Sequence, residues 1–253
     1  MTSKLSRKTQ DKRLHSLTNF ITRDIMRLVK GMTTLSPSQP VCRDDFIIDL
    51  DEGQQELFEI SPGIFPLRID KSTLHDEYIE YVDANLSITV EINKASDRFN
   101  VSASDKPLLG ISDIGMHILI NIPPTFCDTD MKILRDEISN SVRHELEHIS
   151  QGPMCDNPFS VFGRGKEYYT FESCPDDVET VMAKYLLDPT EIPAYVRGHS
   201  HNSSSMTELI SKIDYFLNTY SERGFIDNDE KDIIFNSWIK WAQKFLNQKR
   251  FLS

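Results

Sequence analysis

Residues 144–148 read His-Glu-Leu-Glu-His, so two histidines stand four positions apart and a glutamate follows the first directly. On an α-helix this spacing places both imidazoles on one face, one turn apart, where they can bind the same divalent ion. The spacing is typical of zinc, and the carboxylate of Glu145 is placed to act as a general base on a water molecule. The chain has only seven histidines, and roughly one such sequence in a hundred would match the pattern by chance.

A catalytic zinc ion held by two imidazoles needs a third protein ligand and keeps its fourth position for water. The first candidate is Glu191, which begins a predicted helix downstream of the motif. The competing candidates are His199, His201, Asp176 and Asp177. The two histidines fall in a polar stretch rich in Ser and Asn, which is typical of a loop. Glu191 is therefore the preferred third ligand.

The helix that carries the motif is predicted from about Asp130 to Gln151, with Asp128 or Thr129 as its N-cap. At about 100° per residue, the apolar side chains of its second half fall in one sector. They are Ile138, Val142, Leu146 and Ile149. The pattern is less regular in the first turns, where Arg135 falls inside this sector and Ile133 outside it.

The same projection gives the helix two further faces. His144 and His148 share a polar strip beside the apolar sector, and Glu145 lies at the boundary between the two. Arg143 and Glu147 point the other way and are expected in solvent. A helix with this distribution is suited to the floor of a cleft that binds a metal.

The chain before this helix has the pattern of a sheet, and the chain after it has the pattern of helices. Five β-type runs precede it: Phe46–Leu50, Glu56–Ile60, Leu86–Asn93, Phe99–Ala103 and Met116–Ile122. Four helical patterns follow it: 176–187, 190–198, Met206–Tyr220 and Asn228–Asn247. We therefore expect an α+β fold, in which a small, mostly antiparallel sheet of four or five strands precedes the motif helix and a helical C-terminal half.

The net charge of −11 is unevenly distributed, because residues 1–40 carry eight Lys and Arg against two Asp. The remainder is acidic, which argues against nucleic acid as the principal partner. The four cysteines form no C-x-x-C pair, which is typical of reduced thiols in a cytoplasm. No apolar run of 18 residues is present, so no membrane span is expected. A basic helix over Leu14–Val29 is followed by the Ser- and Pro-rich segment 36–40, a predicted linker.

Over about residues 86–198 the chain resembles the zincin metallopeptidases. The strand ending at Ile122 and the helix with His144, Glu145 and His148 are similar to their catalytic core. A glutamate on a later helix is similar to the gluzincin branch. Within that branch, Glu191-x-x-Ala194 and a tyrosine six residues before Glu191, Tyr185, resemble toxin-type gluzincins. The combination of His144–Gln151 with Tyr185–Gly198 resembles peptidases of large tailed phages.

Two features depart from related families. Thermolysin-like enzymes place an acidic residue four positions after the ligand glutamate, where this chain has Tyr195, so the group that orients the histidines is open. No third histidine follows at the metzincin spacing.

The resemblance implies a zincin-like domain over residues 41–198, after an N-terminal segment 1–40 and before a helical segment 199–253 packed on it or next to it. It implies a zinc-dependent endopeptidase acting on a restricted protein or peptide substrate in the cytoplasm, a host cytoplasm if the chain is phage-encoded. On this expectation His144, His148 and Glu191 would bind zinc, and Glu145 would be the general base. Tyr185 or Tyr195 would stabilise the oxyanion. The strand Gly115–Ile122 would pair through its edge with an extended substrate.

Two alternatives stay open. One is a zincin-fold protein without catalysis that has a structural or interaction role. The other is a metal hydrolase that acts on a non-peptide bond. The glutamate of the motif favours catalysis, because a purely structural site needs no base beside its ligands. The sequence carries no signal of the oligomeric state.

Overall fold

A computed structural model of the chain describes residues 3–31, 33–34, 45–48, 55–68, 78–94, 100–107, 113–122, 125–151 and 178–246. Its strands are β1 (Ser3–Ser6), β2 (Thr33–Thr34), β3 (Asp45–Ile48), β4 (Gln55–Arg68), β5 (Tyr78–Lys94), β6 (Asn100–Pro107), β7 (Asp113–Ile122) and β8 (Thr125–Cys127). Its helices are α1 (Arg7–Gly31), α2 (Asp128–Gln151), α3 (Val181–Leu186), α4 (Glu191–His201), α5 (Met206–Glu222) and α6 (Asn228–Phe245). The predicted α+β class is confirmed.

The chain divides into two compact units, residues 1–162 and 163–253. In the first unit, α1 packs in the same hydrophobic core as β5, β7 and α2. In the second unit, α4 packs against α5 and α6.

The main sheet of the first unit is mostly antiparallel, as the sequence predicted. β5 pairs antiparallel with β1 and β4 and parallel with β7, and β6 pairs antiparallel with β7. Both edges of β7 are therefore hydrogen-bonded to a neighbouring strand. The prediction that Gly115–Ile122 offers an edge to a peptide is wrong, because the short run expected at Phe99–Ala103 extends to Pro107 and covers it.

Side chains of β5 and β7 point alternately to the two faces of the sheet, so that one face is apolar and packs against the helices. The side chains of this face are at most 2% exposed, and they are Leu86, Ile88, Val90, Ile92, Met116, Ile118, Ile120 and Ile122. Helices α1 and α2 contribute to the same core. On the opposite face the half-buried residues Glu91 and His117 form a cross-strand pair, with Oε2 and Nε2 3.1 Å apart. The sheet therefore has an apolar face under α2 and a polar face opposite it.

A second sheet lies in the same unit and ends immediately before α2. β3 pairs antiparallel with β2 and with β8, and Cys127 of β8 adjoins the first residue of α2. The helix therefore begins at Asp128, two residues earlier than predicted, and it ends at Gln151 as predicted.

In the second unit, α6 holds the short helix α3 at both ends. The fully buried carboxylate of Glu230 accepts hydrogen bonds from the backbone N–H groups of Glu179 and Thr180, at 2.9 and 2.7 Å, and from the Thr180 hydroxyl. At the other end, the indole N–H of Trp238 donates to the carbonyl of Leu186 at 2.9 Å. These bonds fix the segment that leads into α4.

No helix in the described part of the chain is long and apolar enough to cross a membrane. Several predicted features fall outside the described residues. They are the linker at 36–40, Asp176 and Asp177, and three of the four cysteines, Cys42, Cys155 and Cys174.

Candidate metal centre

The two histidines of the motif lie side by side on α2, as their spacing predicted. Their Nε2 atoms are 2.9 Å apart, and the ring centroids are 4.6 Å apart in an edge-to-face arrangement. His148 is 3% exposed, and the side chain of His144 is 12% exposed. Both imidazoles therefore present the same nitrogen to one point at the surface of the helix.

Glu145 stands beside this pair. Its carboxylate is 5% exposed, and Oε1 lies 3.8 Å from Nε2 of His144. This distance is longer than that of a hydrogen bond. A carboxylate at this distance can reach a water molecule bound near the two nitrogens, which is the position that a general base requires.

The predicted apolar sector of α2 is confirmed. Ile138, Val142, Leu146 and Ile149 have no exposed surface. In the first turns, where the sequence pattern was irregular, Ile133 is 43% exposed and Arg135 is also exposed. Met131 and Leu134 of the same turns are nevertheless buried in the core, so the first turns also pack on the first unit.

The prediction that Arg143 and Glu147 point to solvent is wrong. The side chain of Arg143 is completely buried, and that of Glu147 is 12% exposed. The guanidinium binds Glu147 within α2 and Asp11 of α1. Helix α1 covers the side of α2 that the projection assigned to solvent, and a projection of one helix contains no information about a neighbour.

Glu191 is the first residue of α4 and is 1% exposed. The turn before it is fixed by Asp188, whose Oδ1 accepts from the backbone N–H and the hydroxyl of Thr190 at 2.7 and 2.6 Å. The N-terminus of a helix carries unpaired N–H groups and a partial positive charge, which stabilise a carboxylate in the first turn. Glu191 is therefore buried at a position where the helix N-terminus favours a carboxylate.

Within the described residues, one group of three or more His, Cys, Asp and Glu side chains offers ligand atoms to a single point. It consists of His144, His148 and Glu191, whose ligand atoms all lie within 4.8 Å of one another. Two imidazole nitrogens and a carboxylate oxygen form a donor set that suits zinc. The residues present therefore fit the ion that the motif implies.

The histidines that competed with Glu191 lie elsewhere on α4. His199 and His201 occupy its last turn, so the expectation of a loop at these positions is wrong. His201 is ten residues after Glu191, which corresponds to roughly 15 Å along the helix axis. The ring of His199 packs edge-on against Phe216, with centroids 5.0 Å apart.

The two tyrosines proposed for the oxyanion have different surroundings. The ring of Tyr195 stacks on Trp238 with centroids 4.9 Å apart, and its hydroxyl shares a hydrogen bond with Tyr220. Burial raises the pKa of Tyr220, and the bond from Tyr195 opposes this shift. Tyr185 is half-buried beside this cluster, with its ring 6.3 Å from that of Tyr195. Tyr195 thus has a place in the aromatic packing of its unit.

No family model, curated protein or solved structure matches the chain significantly.

Proposed function

We propose that the protein is a zinc-dependent peptidase in which His144, His148 and Glu191 bind the ion and Glu145 is the general base. The observation that carries the proposal is the convergence of three ligand atoms of the right chemistry within 4.8 Å, with a fourth, acidic side chain next to one of them.

The separation of the two Nε2 atoms supports a shared cation. In a tetrahedral zinc site with Zn–N bonds of about 2.0–2.1 Å, two imidazole nitrogens lie roughly 3.3 Å apart. The observed 2.9 Å is close to this value. Without a shared cation, two neutral imidazoles at this distance must form a hydrogen bond in which one ring donates and the other accepts.

The buried carboxylates support the same proposal. Glu145 and Glu191 are 5% and 1% exposed, and an ionised group at such burial is expected to be paired or to bind a metal. A divalent ion would favour the ionised form of both groups. Both carboxylates of the proposed site are therefore in an environment that suits a cation.

The place of Glu145 favours catalysis over a purely structural site. Bound zinc would supply a water molecule whose pKa is lowered to about 7. Glu145 would accept the proton that this water loses as it attacks a scissile carbonyl, and would then donate it to the leaving amine. Tyr185 is the remaining phenol proposed to stabilise the oxyanion, since Tyr195 is engaged in aromatic packing.

An extended substrate would be held by a strand. Among the described strands, β6 pairs only with β7 and leaves its other side open, and β6 also contacts α2. The backbone groups of an open strand can pair with a peptide. We therefore propose β6, in place of β7, as the strand that binds the substrate.

Cleavage of a peptide library by purified full-length protein tests the function. Wild type should contain one zinc per chain and cleave a restricted set of peptides, and Glu145→Gln should retain the zinc and lose the cleavage. Zinc analysis of Glu191→Ala and His201→Ala tests the third ligand. Zinc that survives in Glu191→Ala and is lost in His201→Ala would overturn the assignment of Glu191. A wild type that binds zinc and cleaves nothing would favour a non-catalytic protein or a hydrolase of another bond.

A further inference from the structure

A buried ion-pair triad joins α1 to the helix that carries the motif. Nη1 of Arg143 donates to Oε2 of Glu147 at 2.7 Å, and Nη2 donates to Oδ1 of Asp11 at 3.0 Å. The Arg143 side chain has no exposed surface, while Asp11 and Glu147 are 28% and 12% exposed. A buried guanidinium requires such partners, and its planar fork fixes their directions. The triad therefore holds α1 and α2 in one relative orientation at this point.

The triad lies next to both histidines of the motif. Arg143 precedes His144 and Glu147 precedes His148, so each member of α2 is rotated by about 100° from its histidine. On the helix projection the triad residues fall on one side of the two histidines, and the apolar sector, which packs on the sheet, falls on the other. The polar strip with the two imidazoles therefore lies between two faces of α2 that are both packed. One is the apolar sector in the hydrophobic core, and the other is the face that carries the triad.

We propose that Asp11 is a positioning residue for the metal centre and that it acts through Arg143 and Glu147. This inference rests on the proposed zinc site. The apolar sector of α2 packs on the sheet, and the charged triad adds a directional contact on another side of the helix. The two contacts together fix the rotation of α2 about its own axis, and with it the direction in which the imidazoles of His144 and His148 point. The position of the two Nε2 atoms relative to each other follows from their spacing on one helix.

The test compares two carboxylates of α1 in the full-length protein. Asp11→Asn removes the charge that holds Arg143. The matched control is Asp24→Asn, since Oδ1 of Asp24 binds Arg27 at 3.1 Å in an ion pair whose arginine is 68% exposed. Zinc affinity is measured by competition with a chromophoric chelator, at a temperature where circular dichroism shows each variant to be folded. The visible spectrum of the cobalt-substituted protein reports the coordination geometry.

We expect Asp11→Asn to bind zinc about ten-fold more weakly, which is typical for residues that orient metal ligands, and to have an altered cobalt spectrum. Asp24→Asn should match wild type in both measurements. Asp11→Glu, which restores the charge, should recover most of the affinity. A purely structural role of Asp11 would lower the unfolding temperature and leave the cobalt spectrum of the folded protein unchanged.

Wild-type affinity and an unchanged spectrum in folded Asp11→Asn would overturn the proposal. If Asp11→Asn does not fold, Glu147→Gln removes the other carboxylate and is judged by the same two measurements. A wild-type protein that binds no zinc would contradict the proposed function itself, and this result is distinct from a zinc-binding wild type that is insensitive to the triad.

Discussion

Nε2 of His144 and Nε2 of His148 lie 2.9 Å apart on consecutive turns of α2. Both atoms are potential metal ligands. Without a cation, one ring nitrogen must donate a hydrogen bond and the other must accept it. The pair is also largely buried, so its contact with water is limited. A divalent ion satisfies both nitrogens at once, and several consequences of this arrangement can be measured.

Zinc should stabilise the folded protein. A ligand that binds only the folded state contributes about 2.7 kcal/mol when its free concentration is 100 times its dissociation constant. Thermal unfolding followed by circular dichroism should therefore show a higher midpoint with zinc than with a chelator. His148→Ala should abolish this difference, because one of the three ligands is lost.

His199→Ala is the control for this measurement. It removes a histidine that packs against Phe216, so the midpoint should fall while the increment from zinc remains. An increment that disappears in His199→Ala and persists in His148→Ala would contradict the proposed ligand set.

Glu230 should be important for the stability of the second unit. Its carboxylate is fully buried and accepts from two backbone N–H groups and a hydroxyl of the segment before α3. Glu230→Gln presents an amide to donors that need an acceptor, so we expect a loss of about 3 kcal/mol in the free energy of unfolding. Urea denaturation at pH 7 measures this loss. A loss below about 0.5 kcal/mol would contradict the role of the carboxylate.

The contribution of Glu230 should depend on pH. Burial raises the pKa of this carboxyl, but hydrogen bonds from Thr180, Asp227 and Glu179 outweigh it, so the pKa is lowered from its ordinary value of 4.5. Because the pKa of the folded state is below that of the unfolded state, the stabilisation is present above about pH 4.5 and decreases as the pH falls below it. The difference between wild type and Glu230→Gln should therefore decrease from pH 5 to pH 3. A constant difference would contradict this explanation.

Glu208 should titrate at unusually low pH. Hydrogen bonds from the Ser204 hydroxyl and backbone N–H, with a further contribution from Lys212, lower the pKa of its carboxyl to about 2. The donors lie 2.6 and 2.7 Å from Oε2. An NMR titration should find this pKa well below 4.5, and Ser204→Ala should raise it because the largest contribution is removed. A pKa that is the same in both proteins would contradict the assigned cause.

Replacement of each of the two tryptophans of α6 by phenylalanine should change the free energy of unfolding by different amounts. Trp238→Phe removes the donor to the Leu186 carbonyl and leaves a buried acceptor unsatisfied, so we expect a loss of about 1–3 kcal/mol in the free energy of unfolding. Trp241→Phe is the matched control, because its indole nitrogen has no hydrogen-bond partner among the described residues. Chemical denaturation of both variants measures the difference. Equal losses would contradict the importance of the Trp238 bond.

The sequence by itself determined the local geometry of the centre. The four-residue spacing placed His144 and His148 on one face, because every α-helix has the same pitch. The apolar periodicity of α2 gave its core face from Ile138 onward. The alternation in Leu86–Ile92 and Met116–Ile122 gave two strands with one buried face, since side chains of a strand point to opposite sides in turn. These features depend only on the repeat of one element.

Only the tertiary structure decided which elements cover which surfaces. Arg143 and Glu147 were expected in solvent, and α1 buries them through Asp11, a contact between residues 132 positions apart in the chain. β7 was expected at an edge, and β6 closes that edge by pairing along it. Contacts over such distances are set by the packing of whole elements, and no spacing within a single helix or strand encodes them.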